Sequence, residues 1–354
     1  MIYSVGDTVM IHVTLCPLRY RCLAWLRLFL CLLAGVTLLG IGFLLLPVSR
    51  RGLTSHANPA QSYEEALQRL QMLKATEGDD LNPVCLTRAL THGKRTERVI
   101  VLLHGFSNCP HQYRTLGRQL YNAGDTVLIP RLPRHGMADR LSEDQAKLTA
   151  EEIINRIDES VDIAQGLGDE VILVGFSFGG VLTAWVVEQR NDIDAAMMIA
   201  PAFAFQAIPR ALTPQAARLF ASLPNVWHWW NAEEKEALAG PQHAYPWFSS
   251  RAFAQVLRLG LVVRERAAQD LPPTARLLVV TNANDESVDN QATYEIVARW
   301  QQQGASVQTY EFPQAIGLVH DLLDPDQPKE QIDLVYPVLL KLLSNLRQES
   351  IHAQ

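Results

Sequence analysis

A chain of 354 residues with 48% apolar content is long enough to bury one large core or two ordinary ones, so disorder is the wrong starting point. Its 31 basic and 37 acidic residues give a formal charge of −6, and no long run of Lys or Arg occurs, which excludes a nucleic-acid surface as the expected partner.

In chain order, residues 1–22 read as an N-terminal segment, and Leu28 to Leu46 then run without a charge. At ~1.5 Å per residue this run approaches the roughly 30 Å apolar thickness of a bilayer, so residues 23–47 are expected to be a transmembrane anchor and the chain's membrane partner. A buried core helix and a cleaved secretory signal are the competing readings; the apolar run is long for either, and no small-residue cleavage site follows closely. Arg19, Arg21 and Arg27 precede the run and Arg50 and Arg51 follow it, which by one charge favours a folded domain on the non-cytoplasmic side. Cys16, Cys22 and Cys31 belong to this region, leaving Cys85 and Cys109 as two buried thiols or, in an oxidising compartment, a disulfide.

Residues 48–60 read as a linker, and 61–350 as the folded domain. A first helix is expected at Tyr63 to Leu73 from the spacing of Ala66, Leu67, Leu70 and Leu73. From Val99 onward short β-rich apolar runs alternate with helical stretches, the pattern of a mostly parallel sheet with helices on both faces. Strands are predicted at Val99 to Leu103, Thr126 to Pro130, Val171 to Gly175, Ala196 to Ala200, Leu277 to Thr281 and Val307 to Phe312. Helices are predicted at His111 to Asn122, Thr149 to Gly166, Phe178 to Gln189, Asn290 to Gln303 and Lys329 to Leu346. Residues 203–270 are too long for an ordinary connection and hold four of the seven tryptophans, so they are expected to form a helical cap over the carboxyl edge of the sheet.

The chemistry concentrates in Val171-Ile172-Leu173-Val174-Gly175-Phe176-Ser177-Phe178-Gly179-Gly180, a strand followed by G-x-S-x-G and a helix former. A serine held on a sharp strand-to-helix turn needs neighbours without side chains, which Gly175, Gly179 and Gly180 supply. Its hydroxyl needs a base, and the base an orienting carboxylate, in the chain order Ser, acid, His. His320 follows a strand by a short loop, whereas His228 and His243 fall in the insertion and His352 lies near the terminus. Asp285 follows the preceding strand, with Asp289 as fallback, and Asp321 and Asp324 are left to hydrogen-bond around His320. The backbone N–H groups of Phe178 and of Phe106, in His104-Gly105-Phe106 after the first strand, are the expected oxyanion donors. His104 and His135 read as residues that shape their loops.

These motifs, with the Pro133 to Gly136 loop and Val288 after Asp285, make residues 95–345 resemble bacterial carboxylesterases and monoacylglycerol lipases of the α/β-hydrolase superfamily, including the serine aminopeptidase S33-like group. The resemblance implies the α/β-hydrolase fold, a triad of Ser177, Asp285 and His320, an oxyanion hole at Phe106 and Phe178, a cap and no cofactor; the cysteine spacing offers no metal site either. Pro-Arg-His-Gly stands where Pro-Gly-His-Gly is commoner. The expected activity is hydrolysis of a small-molecule or lipid ester through an acyl-enzyme on Ser177. A peptidase, thioesterase or acyltransferase would use the same triad, and a non-catalytic binding module is the alternative of another class.

Overall fold

The computed structural model describes residues 18–46, 49, 51–238, 240–274 and 276–348. Most of the expected N-terminal segment, Arg50 and His352 lie outside these residues. The chain divides into two units, Met1–Leu46 and Pro47–Gln354.

In the first unit, α1 (Leu18–Leu45) is a single helix. Among the described residues, however, no helix is long and apolar enough to cross a membrane. Arg19, Arg21 and Arg27 stand in the first ten residues of this helix, so its N-terminal third is not apolar. The expected anchor over 23–47, the membrane contact assigned to it and the non-cytoplasmic placement of the domain are corrected accordingly.

The second unit is built on a seven-stranded sheet. Its strands are β1 (Arg88–Leu90), β2 (Thr96–Leu103), β3 (Thr126–Ile129), β4 (Gly168–Phe176), β5 (Ala195–Ile199), β8 (Arg276–Asn282) and β9 (Val307–Phe312), in the order β1-β3-β2-β4-β5-β8-β9. β1 runs antiparallel to β3; every other pair in this sheet is parallel. Because successive side chains point to opposite faces, each central strand divides its residues between two cores. Val99, Val101 and Leu103 join a core with α2 (Tyr63–Ala75), α4 (Ala150–Leu167), α5 (Phe178–Gln189), α7 (Ser250–Arg266) and α8 (Asn290–Gln302). Ile100 and Leu102 join the opposite core, with α3 (Arg114–Asn122) and α9 (Ile332–Gln348). Burial on both faces is why these strands read as unbroken apolar runs rather than as alternating ones.

Local signals set the helix ends. Thr149 accepts from the Glu152 amide while the Glu152 carboxylate accepts from the Thr149 amide, so two otherwise orphaned donors are satisfied at the start of α4. Ser62 caps α2 in the same way, accepting from the Glu65 amide. The segment expected as a linker lies against α4 from Leu53 onward: Leu53 and Ala60 are buried, and the Asp158 and Asp162 carboxylates accept hydrogen bonds from Ser55, His56 and Asn58. The same two carboxylates pair with the buried Arg190 guanidinium, which offsets the cost of taking all three charges out of water.

Residues 203–270 fold into α6 (Thr213–Ser222), an antiparallel pair of β6 (Trp227–Trp229) and β7 (Trp247–Ser249), and α7. The Trp227 and Trp247 rings stack at 4.4 Å across this pair. α7, expected as part of the cap, is largely a core helix, with Ala252, Val256, Leu259 and Val263 buried. Cys85 and Cys109 form a disulfide that ties the segment before β1 to the loop after β2.

Candidate active site

Crowding at the junction of β4 and α5 decides its shape. A Cβ on Gly175 would meet the Gly179 carbonyl oxygen at 2.0 Å, and one on Gly179 would meet the Leu103 carbonyl oxygen at 1.9 Å. No larger residue fits either place, so the helix passes close behind the strand. Between them Ser177 adopts φ 54° and ψ −114°, a strained conformation for a residue with a side chain. The turn is held by the Ser177 amide donating to the Ile199 carbonyl at 2.8 Å and by the Ser177 carbonyl accepting from Ala202 at 3.0 Å.

Three of the expected residues meet here. His320 Nε2 lies 2.9 Å from Ser177 Oγ, and His320 Nδ1 lies 2.7 Å from Asp285 Oδ2. The other oxygen of Asp285 accepts from the Ser287 and Val288 amides at 2.9 and 3.0 Å, which fixes the carboxylate plane. With Nδ1–H donating to Asp285, Nε2 is left as an acceptor facing the Ser177 hydroxyl. Burial works against a charge on the imidazole, but the Asp285 carboxylate, through its charge and its hydrogen bond, and the nearby Asp321 outweigh it, so the His320 pKa is raised. Burial likewise opposes charge on Asp285, and the His320 contact with the two amides lowers its pKa overall. The fallback acid Asp289 instead caps α8 through the Gln291 amide and pairs with Arg210 at 2.9 Å.

The expected oxyanion donors stand on two different elements. Phe178 opens α5, where the first amides have no partner within the helix. Phe106 lies in the loop after β2, and that loop is braced throughout. The Gly105 amide donates to Gln112 Oε1 at 3.0 Å, and His104 bonds the Gly105 carbonyl through Nδ1 while its Nε2 accepts from the Leu132 amide. Burial pushes the His104 pKa well down, keeping the neutral form that this pattern needs. His135 faces the Phe106 carbonyl at 2.6 Å and the Pro133 carbonyl at 2.7 Å. Burial takes its pKa to about 4 against the pull of both carbonyls, so at neutral pH only one of them receives a proton.

Several supporting residues carried no signal in the sequence. Gln112 Nε2 donates to Asp321 Oδ2 at 2.9 Å, and Asn108 Nδ2 donates to Asp324 Oδ2 at 2.8 Å, so the Phe106 loop is tied to the His320 loop. Asn282 and Asn284 donate to the Leu318 carbonyl just before His320, and Gln206 donates to the Asp285 carbonyl. Their partners are more than 30 positions away, and only the folded chain brings them together. Ser177 and His320 open on a cleft of about 690 Å³, whose walls include Phe205, Trp229, Trp230, Tyr245 and Val319. Of the histidines set aside in the insertion, His228 stacks on Phe248, and His243 bonds the buried Asp324 at 2.8 Å.

The sequence pattern described as the alpha/beta hydrolase family matches residues 100–332, more than half of the chain. The chain belongs to that family. A thermostable monoacylglycerol lipase of Bacillus sp. (strain H-257) is 31% identical over 114 residues, which cover 32% of this chain and 44% of the relative. Solved structures of a metagenome-derived lipolytic enzyme from the LipS and LipT pair and of the monoacylglycerol lipase of Paleococcus ferrophilus both superpose with TM-score 0.56. The first is 20% identical, covering 76% of this chain and 99% of that one; the second is 16% identical, covering 73% and 98%. A soluble variant of monoglyceride lipase from Saccharomyces cerevisiae, 13% identical, also gives 0.56, covering 73% of this chain and 91% of that one. At these identities the structures speak for the α/β-hydrolase fold alone.

Proposed function

We propose that this α/β-hydrolase cleaves carboxylic esters in two steps through an acyl-enzyme on Ser177. His320 takes the Ser177 proton as Oγ attacks the carbonyl carbon, and Asp285 stabilises the imidazolium that forms. The amides of Phe106 and Phe178 receive the oxyanion, and His320 returns the proton to the leaving alcohol. Water, deprotonated by the same imidazole, then releases the acid. The observation that carries this reading is the pair of contacts from one imidazole, 2.9 Å to Ser177 Oγ and 2.7 Å to the Asp285 carboxylate.

The substrate class proposed is an acyl ester with an apolar chain and a small polar head, such as a monoacylglycerol. Aromatic and aliphatic walls beside Ser177 would take the chain, while Asn231, Glu234 and Lys329 offer polar contacts for the head. The name of the curated relative points the same way. Glu234 and Glu286 on the cleft wall favour a second reading, recognition of a substrate amine by a peptidase. Turnover of a chain-length series of p-nitrophenyl esters, monoacylglycerols and aminoacyl anilides decides between the two. The ester reading predicts highest kcat/KM on medium or long acyl chains; preference for acetyl esters removes the lipid assignment, and preference for the anilides removes the ester one.

A further inference from the structure

The geometry points to a divalent transition-metal site, of the kind that suits zinc, formed by His111, His243 and Asp326 beside the catalytic cleft. This inference does not depend on the proposed ester chemistry, and it departs from the sequence expectation of no metal. One donor atom from each of the three residues lies within 4.8 Å of the other two. His111 Nε2 is 3.5 Å and His243 Nδ1 is 3.7 Å from Asp326 Oδ2. A tetrahedral zinc with bonds of about 2.0–2.2 Å would space its ligands by roughly 3.4 Å, so small side-chain adjustments suffice.

The hydrogen bonds around the cluster favour the same atoms. His243 Nε2 lies 2.8 Å from Oδ2 of Asp324, which is wholly buried, so its N–H donates there. In that tautomer Nδ1 presents a lone pair toward the Asp326 carboxylate, 3.7 Å away. A histidine that gives its other N–H to a buried carboxylate is the usual arrangement behind a metal ligand. Asp324 is itself fixed by Asn108. The neighbouring pair of acceptors, His111 Nε2 and Asp326 Oδ2, already has a cation between them. Arg114 Nη1 lies 2.5 Å from the first and 2.6 Å from the second. Arg114 donates to both oxygens of Asp326, at 2.6 and 2.7 Å, and is one-third exposed, so a metal binds by displacing its guanidinium toward solvent. A cleft of about 430 Å³, bordered by Asn82 and Gln242, gives access and leaves the fourth position to water.

The ligands come from three segments that also build the catalytic cleft. His111 follows the Phe106 loop, Asp326 lies in the loop between β9 and α9 that carries His320, and His243 precedes Ala244 and Tyr245 on the cleft wall. A bound metal would therefore fasten the insertion to both loops without touching the substrate. Ligand and chemistry are thus separable, and its role is to position.

The test uses tag-free, full-length protein stripped with a chelator, dialysed, and titrated separately with zinc chloride and cobalt(II) chloride. Calorimetry follows the zinc, and ligand-field absorption follows the cobalt. One equivalent binds per chain, the cobalt form shows the strong visible band of a four-coordinate site, and the apparent Tm rises with added zinc. Asp326→Ala and His111→Ala each weaken zinc at least tenfold. Arg114→Ala keeps all three ligands, removes the competing guanidinium and tightens binding, so it carries the test should a ligand variant fail to fold. No binding by either the native chain or Arg114→Ala overturns the proposal, as does native zinc affinity retained in both ligand variants.

Discussion

The junction of β4 and α5 and the segment 203–270 both face Ser177, yet their shapes have different origins. At the junction the backbone is forced by crowding: side chains at Gly175 or Gly179 would fall about 2 Å from carbonyl oxygens. Such a constraint is local and acts on a few consecutive positions, so it leaves a short, readable pattern. In the insertion the shape comes from rings packed on one another, with Trp230 on Phe248 at 4.4 Å and Phe205 on Phe253 at 4.6 Å. Many aromatic sequences satisfy a packing requirement, whereas only glycine satisfies a crowding one. The junction therefore tolerates almost no change, and the insertion tolerates a good deal.

The sharpest way to break the comparison is Gly179→Ala. A methyl group 1.9 Å from the Leu103 carbonyl oxygen displaces either β2 or α5. Loss of most folded protein, or destabilisation by more than about 4 kcal/mol, is expected in chemical denaturation. Near-native stability would show that the junction is looser than described. Asp285→Asn comes next and leaves the fold in place while lowering kcat by about 10⁴. The imidazole must be neutral to accept the Ser177 proton, so activity falls as pH drops through the His320 pKa. With that pKa raised, the acid limb of kcat/KM lies above the ordinary histidine value of 6.5. Removing the Asp285 charge moves the limb downward; an unmoved limb would assign it to another group.

Smaller effects are expected away from the elbow. Cys85→Ser together with Cys109→Ser opens the crosslink and lowers stability by about 3 kcal/mol, read as a fall in Tm that a reducing agent reproduces in the native chain. An unchanged Tm would mean the loop after β2 is held by Gln112 and His135 alone. Trp230→Ala, at a half-exposed position of the insertion, changes stability by less than about 1 kcal/mol and raises KM for long-chain esters several-fold. A loss of stability as large as that of the disulfide variant would erase the contrast between the two regions.

The same distinction explains what was legible in the sequence. The five strands β2, β3, β4, β5 and β8 and the helix Phe178–Gln189 were readable because burial on both faces writes continuous apolar runs and the glycines mark the turn. Ser177, Asp285 and His320 followed from where strands end. β1, three residues long with every side chain only half-buried, left no run to find. α7 was placed in a cap by its position between strands, although its buried face belongs to the sheet core. Gln112, Asn108 and His243 were invisible because each acts on a partner more than 80 residues away or, for Gln112, on both a near and a distant one. The run Leu28 to Leu46 was the reverse case: its length suggested a span, yet among the described residues no helix is long and apolar enough to cross a membrane.

The central claim is that the Ser177 hydroxyl is the activated nucleophile. Incubation of the full chain with a fluorophosphonate, followed by peptide mass spectrometry, tests it most directly. A single stoichiometric adduct on Ser177, absent in Ser177→Ala and formed at least a hundredfold more slowly in His320→Ala, is the predicted result. An adduct elsewhere, or labelling of the His320→Ala variant at the native rate, would contradict it.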